Sequence, residues 1–139
     1  MIETSKKIRN YFEQAKESID LPGFSRFPEG ACEGASLFLG IMLHELFPTA
    51  NINYIKGYKT CGEMHFWLKV DGATYDITAD QFEGISSPIY DSNTQSLESV
   101  FNDLETQPIE LAFLESDVTT TIYKDSLTSV LRYVLTNNV

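Results

Sequence analysis

Apolar residues near the start of the chain recur with the spacing of an amphipathic helix. Positions i, i+3, i+4, i+7 and i+11 are held by Ile8, Tyr11, Phe12, Ala15 and Ile19. This spacing predicts a helix over roughly residues 4 to 19. The next stretch, "DLPGFSRFPEG" (20–30), contains two prolines and two glycines, and these residues predict a loop.

An almost wholly apolar stretch follows the loop. It reads "ACEGASLFLGIMLHELF" (31–47) and stops at Pro48. A helix that is apolar on all sides is a buried helix. We therefore expect residues 31–47 to form a helix that lies at the centre of the fold, with its neighbours packed around it.

Short runs typical of β-strands come next. They are "NINYIKGYK" (51–59), "MHFWLKV" (64–70), "ATYDIT" (73–78) and the shorter "SPIYD" (87–91). Asp71 and Gly72 stand between two of these runs, and an Asp-Gly pair in that place predicts a two-residue hairpin turn. The strand pairs expected from this turn are Val70 with Ala73, Lys69 with Thr74, Leu68 with Tyr75, and Trp67 with Asp76.

Helical spacing returns in the last third of the chain. In "SLESVFNDLE" (96–105) one helical face would carry Leu97, Val100, Phe101 and Leu104. A final helix is marked by Leu127, Val130, Leu131, Val134 and Leu135, with Asp125 as its N-cap. "LAFLES" and "VTTTIYK" fit neither pattern. The element order therefore predicts one α+β domain over residues 1–139, with additional C-terminal helices.

Composition narrows the classes of partner. The chain has 20 acidic and 10 basic residues, a formal charge of −10, so its average field repels a phosphate backbone and we expect no nucleic-acid partner. The sequence contains no uninterrupted run of about 18 apolar residues, so we expect no membrane-spanning helix. The first residues lack an apolar signal region, so we expect a cytoplasmic protein. In that compartment Cys32 and Cys61 are not expected to form a disulfide.

The predicted hairpin brings an imidazole and a carboxylate to one face. Side chains alternate along a strand, so His65, Trp67, Asp76 and Thr78 share a face. Asp76 is diagonal to His65, and diagonal neighbours lie about 7–8 Å apart at the backbone, within reach of long side chains. A carboxylate bonded to one ring nitrogen fixes the tautomer and leaves the other nitrogen free to act as a base.

Cys32 stands at the predicted start of the buried helix. The free N–H groups and the partial positive charge of a helix N-terminus favour a thiolate, so we expect the pKa of this thiol to be lowered. The same N–H groups can stabilise an oxyanion formed beside the sulfur. A cysteine in this position, with a histidine and an aspartate on adjacent strands, is typical of acyl transfer through a thioester.

"GACEGAS", "MHFWLKV" and "ATYDIT", in that order, resemble the Cys-His-Asp core of the transglutaminase-like superfamily, a branch of the papain-like fold. The resemblance covers roughly residues 28 to 82, and the chain from residue 92 onward has no counterpart in it. It implies a central helix, opened by the cysteine, that packs on an antiparallel sheet. It also implies Cys32 as nucleophile, His65 as general base and acid, and Asp76 as the partner that orients His65.

The resemblance implies cysteine-dependent chemistry at an amide bond: hydrolysis, deamidation or acyl transfer. The substrate would be a protein, a peptide or a small amide, and no cofactor is expected. The alternative is a papain-fold binding module, in a bacterial toxin or secretion context, whose triad is silent or weakly active. Papain-like enzymes often place a polar oxyanion-hole side chain just before the cysteine, and here Ser25 and Arg26 are the candidates.

Other residues have simpler interpretations. Trp67 and Gln81 are candidates for the cleft, Trp67 as a cover over His65 and Asp76, and Gln81 as a polar group or a residue that orders its loop.

Cys61 could join His65 and Asp76 as zinc ligands, but no second paired ligand motif exists, so we expect no metal. Cys32 taken alone fits a small buried residue, and Asp76 taken alone fits a strand cap. The helix C-terminus explains His44. The sequence indicates no oligomeric state.

Overall fold

The structure is a computed structural model that describes residues 1–137. Its helices are α1 (Ile2–Ala15), α2 (Cys32–Leu46), α3 (Ile109–Glu115) and α4 (Thr121–Asn137), and its strands are β1 (Ile52–Tyr58), β2 (Met64–Val70), β3 (Ala73–Asp76), β4 (Ile89–Ser92) and β5 (Asp103–Pro108). The strands form one antiparallel sheet in the order β4-β3-β2-β1-β5. This architecture confirms the predicted α+β class. Among these residues, no helix has the length and apolar character that crossing a membrane requires.

The turn between β2 and β3 has the predicted geometry. Asp71 and Gly72 both adopt left-handed backbone conformations, with φ of 50° and 84°, as a two-residue hairpin turn of the primed type requires. The pairs Val70–Ala73, Lys69–Thr74 and Leu68–Tyr75 are confirmed. The ladder stops there, so the predicted pair Trp67–Asp76 is not formed; Asp76, the last residue of β3, pairs with Ile89 of β4.

Helix α2 is buried, as predicted. Residues 34–40 and the pair Met42 and Leu43 are shielded from solvent, and the helix packs on the face of the sheet that presents Phe66, Leu68 and Val70. Helices α1, α3 and α4 surround it. The main core therefore lies between the sheet and the helices, and it fixes α2 at both ends. Its N-terminus, where Cys32 stands, reaches the end of the sheet at which β2 begins.

A smaller core lies on the opposite face of the sheet. Ile55 and Trp67 point to this side and pack against Leu97 and Phe101, which come from the segment between β4 and β5. Gly57 stands opposite His65 in the ladder. A Cβ atom at Gly57 would lie 2.6 Å from Trp67 Cη2 and 2.7 Å from Phe101 Cβ. The absence of a side chain there lets both aromatic residues lie close to the sheet.

The prediction of a helix over residues 96–105 is wrong. Residues 96–100 form turns that are closed by a hydrogen bond from the Phe101 N–H to the Leu97 carbonyl, 2.8 Å long. Strand β5 then starts at Asp103 and pairs with the edge of β1. An unpaired strand edge presents free N–H and C=O groups, and pairing with β5 satisfies them. Val100 and Leu104, 50% and 41% exposed, supply no buried helical face.

The N-cap prediction for the last helix is also wrong. Helix α4 begins at Thr121, so Asp125 lies inside it. Thr120 fills the capping place: its Oγ1 accepts a hydrogen bond of 3.1 Å from the Tyr123 N–H. The unassigned segments "LAFLES" and "VTTTIYK" contribute to α3 and to the start of α4. The apolar spacing predicted the helix but not where it begins, because the apolar residues with that spacing start only at Leu127.

Replacing Gly57 by alanine is expected to lower the free energy of unfolding by about 1–3 kcal/mol, because the added methyl group overpacks the contact between Trp67 and Phe101. Trp67 is the single tryptophan, so urea unfolding followed by its fluorescence reports both stability and local packing. Thr106→Val, an exposed change on the neighbouring strand, is the control and should alter stability by less than about 0.5 kcal/mol. Equal stability of the two variants would contradict the packing argument.

Candidate active site

Three secondary-structure elements bring the predicted triad together. Cys32 opens α2, His65 is the second residue of β2, and Asp76 is the last residue of β3. His65 Nε2 lies 2.6 Å from Asp76 Oδ2, and the two side chains are 1% and 0% exposed. The contact between imidazole and carboxylate, expected from the strand geometry, is therefore confirmed. Because Asp76 occupies Nε2, Nδ1 is the ring nitrogen available for other chemistry.

The carboxylate of Asp76 is held at both oxygens. While Oδ2 faces His65, Oδ1 accepts hydrogen bonds from the Thr78 N–H, at 3.0 Å, and from the Thr78 hydroxyl, at 3.2 Å. A buried carboxylate with this many donors is satisfied as an anion. Thr78 has a part in the site that the sequence reasoning did not assign. Its position two residues after an aspartate was an available signal, because Asp side chains often bond the backbone two residues on.

The electrostatics of His65 favour its charged form. Burial by itself would lower the pKa of His65, but the charge and hydrogen bond of Asp76, followed by the contributions of Cys32, raise the pKa to about 9. A pKa of about 9 favours the imidazolium at neutral pH, and in that form both ring N–H groups are donors. Nε2–H donates to Asp76, and Nδ1–H is free to stabilise a thiolate or to protonate a leaving group.

The sulfur of Cys32 lies within interaction range of the imidazole, since it contributes to the raised pKa of His65. Nδ1 is nevertheless buried without a hydrogen-bond partner of normal geometry in the described chain. The two groups are therefore neighbours without a closed hydrogen bond. Loose contacts of this kind are common in sites without substrate and tighten when substrate binds.

The N-terminus of α2 leaves donors next to the sulfur. Its N-cap residue, Ala31, supplies no side-chain cap, so the N–H groups of the first turn remain available to an oxyanion. Cys32 is half-buried, whereas Cys61 is exposed. Of the two oxyanion-hole candidates, both exposed, Arg26 has its guanidinium beside Gly30, close to the start of the helix.

Aromatic rings enclose the imidazole. Trp67 stacks on His65 with ring centroids 5.7 Å apart, Phe82 meets it edge-on at 4.7 Å, and Phe101 lies at 5.5 Å. Trp67 is fully buried and covers one face of the imidazole. Contact between Trp67 and a substrate stays a prediction that this burial does not favour. Phe82 and Phe101 were not assigned to the site from the sequence, because nothing in their local pattern indicates contact with residue 65.

Gln81 is the last residue of a short 3₁₀ turn, Ala79–Gln81, which begins three residues after Asp76. Its Nε2 donates to Thr78 Oγ1 at 3.2 Å, and its Oε1 accepts from the Gly30 N–H at 3.3 Å. Both polar atoms are thus engaged by the chain itself. This placement agrees with a residue that orders its loop, while direct contact with a substrate stays a prediction.

A cavity of about 370 Å³ opens beside the first turn of α2. Glu33, the residue after Cys32, lines it together with Tyr54, Lys56 and Phe66, and β5 and the end of α3 complete the wall. Burial raises the pKa of Tyr54, and Glu33 and Cys32 add to the rise. Its charged lining is dominated by carboxylates: Glu33, Glu105, Glu115 and Asp117 oppose the single cation of Lys56.

The zinc interpretation receives no support from the placement of its ligands. Cys61 is exposed, while His65 and Asp76 are buried. In residues 1–137 no group of three or more His, Cys, Asp or Glu side chains could hold a metal ion. His44, near the end of α2, has Nδ1 3.8 Å from Glu110 Oε1.

Comparison of the chain with protein-family models, with curated proteins and with solved structures finds no match. The resemblance to the transglutaminase-like superfamily therefore rests on the chain's own residues. Its support is the order of Cys32, His65 and Asp76 and the contacts described above.

NMR titration of the His65 imidazole should give a midpoint near pH 9, with His65→Gln used to assign the signal. Because this pKa is above the value of about 6.5 for an unfolded imidazole, protonation stabilises the fold. The contribution is fully present below about pH 6.5 and is lost as pH rises through about 9. The stability difference between wild type and His65→Gln should therefore narrow over that window in urea denaturation. A midpoint below 6.5 would contradict the ion pair.

Proposed function

We propose that this protein carries out cysteine-dependent chemistry at an amide bond, through a thioester between Cys32 and the acyl group of its substrate. The observation that supports it most is the buried His65–Asp76 pair with its free Nδ1 next to a half-buried cysteine at a helix N-terminus. We also infer that residues 28–82 form a papain-like, transglutaminase-like core. In support, a central helix opened by a cysteine packs on an antiparallel sheet that carries the histidine and the aspartate.

The geometry supports a two-step reaction. The Cys32 thiolate attacks the carbonyl carbon of the amide, and the N–H groups of the first turn of α2 stabilise the oxyanion. The C–N bond breaks as His65 Nδ1–H protonates the leaving amine, which leaves a thioester and a neutral imidazole. Water or a second amine then attacks the thioester carbonyl and gives its proton to Nδ1; the C–S bond breaks, the Cys32 thiolate leaves, and the acid or the new amide is released. Asp76 keeps Nε2 protonated throughout and stabilises the imidazolium each time it forms.

The surroundings of Cys32 indicate which substrates are compatible. A cavity of about 370 Å³ next to the helix start has room for a side chain of a protein or peptide, or for a small amide. Its carboxylates create a negative local field. An anionic group would therefore be disfavoured there, whereas a neutral carboxamide would not.

One observation favours the alternative of a binding module. The imidazole is fully buried beneath Phe82, Trp67 and Phe101, and no hydrogen bond joins its Nδ1 to Cys32 in the described chain. If the site stays in this state, the three residues are present but do not catalyse a reaction. The two functions differ in one measurable property, which is the ability of Cys32 to become acylated.

An active ester such as p-nitrophenyl acetate should acylate the protein and release a burst of p-nitrophenol that approaches one equivalent per chain. Cys32→Ser should abolish the burst. Cys61→Ser is the matched control and should retain it, because Cys61 is exposed and is not among the groups that raise the pKa of His65. A burst that requires Cys61, or none at all in the folded wild type, would favour the binding module.

Iodoacetamide at pH 6 should alkylate Cys32 at least about 10-fold faster than Cys61, although Cys61 is more exposed, because the neighbouring imidazolium stabilises a thiolate. Asp76→Asn should largely remove this advantage, since the amide weakens the imidazolium. Peptide mapping by mass spectrometry gives both rates, and a melting curve of the same variant gives its stability. A lower melting temperature with an unchanged alkylation profile would mean that Asp76 is a structural cap.

A further inference from the structure

We propose that Gln81 and Thr78 are positioning residues that set the place of Cys32 relative to the His65–Asp76 pair. The inference rests on the proposed function of Cys32 and adds the device that assembles the site. Four contacts run in series: Gly30 N–H to Gln81 Oε1 at 3.3 Å, Gln81 Nε2 to Thr78 Oγ1 at 3.2 Å, Thr78 O–H to Asp76 Oδ1 at 3.2 Å, and Asp76 Oδ2 to His65 Nε2 at 2.6 Å.

The donor and acceptor at each step are fixed by chemistry. The Gly30 N–H can only donate, so the carboxamide of Gln81 must present its oxygen to Gly30 and its NH₂ to Thr78. A carboxylate can only accept, so the single hydroxyl hydrogen of Thr78 goes to Asp76 and its lone pair receives the Gln81 NH₂. The series therefore has one consistent direction, and neither an apolar nor an acidic side chain at position 81 could complete it.

The series begins in the segment that leads into α2. Gly30 precedes Cys32 by two residues, and the N-cap Ala31 offers no side-chain hydrogen bond. Within residues 1–137, no side chain except that of Gln81 hydrogen-bonds the backbone of residues 28–31. The carboxamide thus links the segment that carries the nucleophile to the turn that holds the carboxylate.

The other end of this link is anchored to α1. Arg9 donates to the Ile77 carbonyl at 2.6 Å and to both carboxylate oxygens of Asp80, at 2.6 and 2.8 Å. The Arg9 side chain is 11% exposed and that of Asp80 is 19% exposed, so this two-point ion pair is largely shielded from water. Residues 77–81 are consequently held to the helical layer, and Gln81 transmits that fixed position to Gly30.

The test measures the pH profile of Cys32 alkylation in the full-length chain. Gln81→Met keeps the length of the side chain and removes both hydrogen bonds, so the rate at pH 6–7 should fall about 3- to 10-fold, the range that corresponds to the net contribution of a single hydrogen bond. Thr78→Val should act similarly, because it removes the hydroxyl and keeps the shape. Thr78→Ser restores the hydroxyl and should recover most of the wild-type profile.

Gln14→Met is the matched control, since Gln14 is an exposed residue of α1 that bonds only its neighbour Asn10; it should leave the profile unchanged. If wild-type Cys32 shows no advantage over Cys61, the proposed function fails. If wild type shows the advantage and Gln81→Met and Thr78→Val keep it, the positioning inference alone is overturned. A variant that fails to fold is replaced by Gln81→Asn, which is too short to span both partners and should give the same loss.

Discussion

The arrangement of this protein depends on a buried ion pair between His65 and Asp76. Both side chains are almost without solvent contact, and removing two charges from water costs several kcal/mol per ion unless each charge is paired and hydrogen-bonded. Neighbouring residues offset this desolvation cost. Thr78 donates twice to the carboxylate, and three aromatic rings replace water around the imidazole. The register of the hairpin is what brings the charges together, because a slip of one residue would turn His65 toward α2 and leave Asp76 unpaired.

Local sequence rules predict the parts of this arrangement that local geometry determines. The Asp71-Gly72 turn sets the register of β2 and β3, and the register places His65 and Asp76 on one face. The almost wholly apolar run predicts α2 as a buried helix because its burial does not depend on which neighbours cover it. Cys32, His65 and Asp76 could therefore be proposed as a group without knowledge of the rest of the fold.

The parts that could not be predicted depend on distant segments. Leu97 and Phe101 are spaced for a helix, yet they form a single turn over the second face of the sheet, and β5 follows because the edge of β1 offers backbone partners. Arg9 and Asp80 are 71 residues apart, and no local pattern on α1 marks Arg9 as an anchor. The site thus draws on residues on both sides of the 28–82 segment in which the resemblance lies. The candidate reactive residues could be recognised in that segment, but the residues that enclose them could not.

The energetics of the buried pair also bear on why the chain contains one. Replacing a buried ion pair by well-packed apolar residues is often neutral or stabilising, whereas removing one partner is strongly destabilising. A scaffold that needed only to close the hairpin would therefore be served at least as well by two apolar side chains on this face, which already carries Ile55 and Trp67. Strongly shifted titrating groups occur preferentially where they act on another molecule. The raised pKa of His65, beside a partly accessible thiol, therefore supports the proposed reactive role of this pair over a role limited to holding β2 to β3.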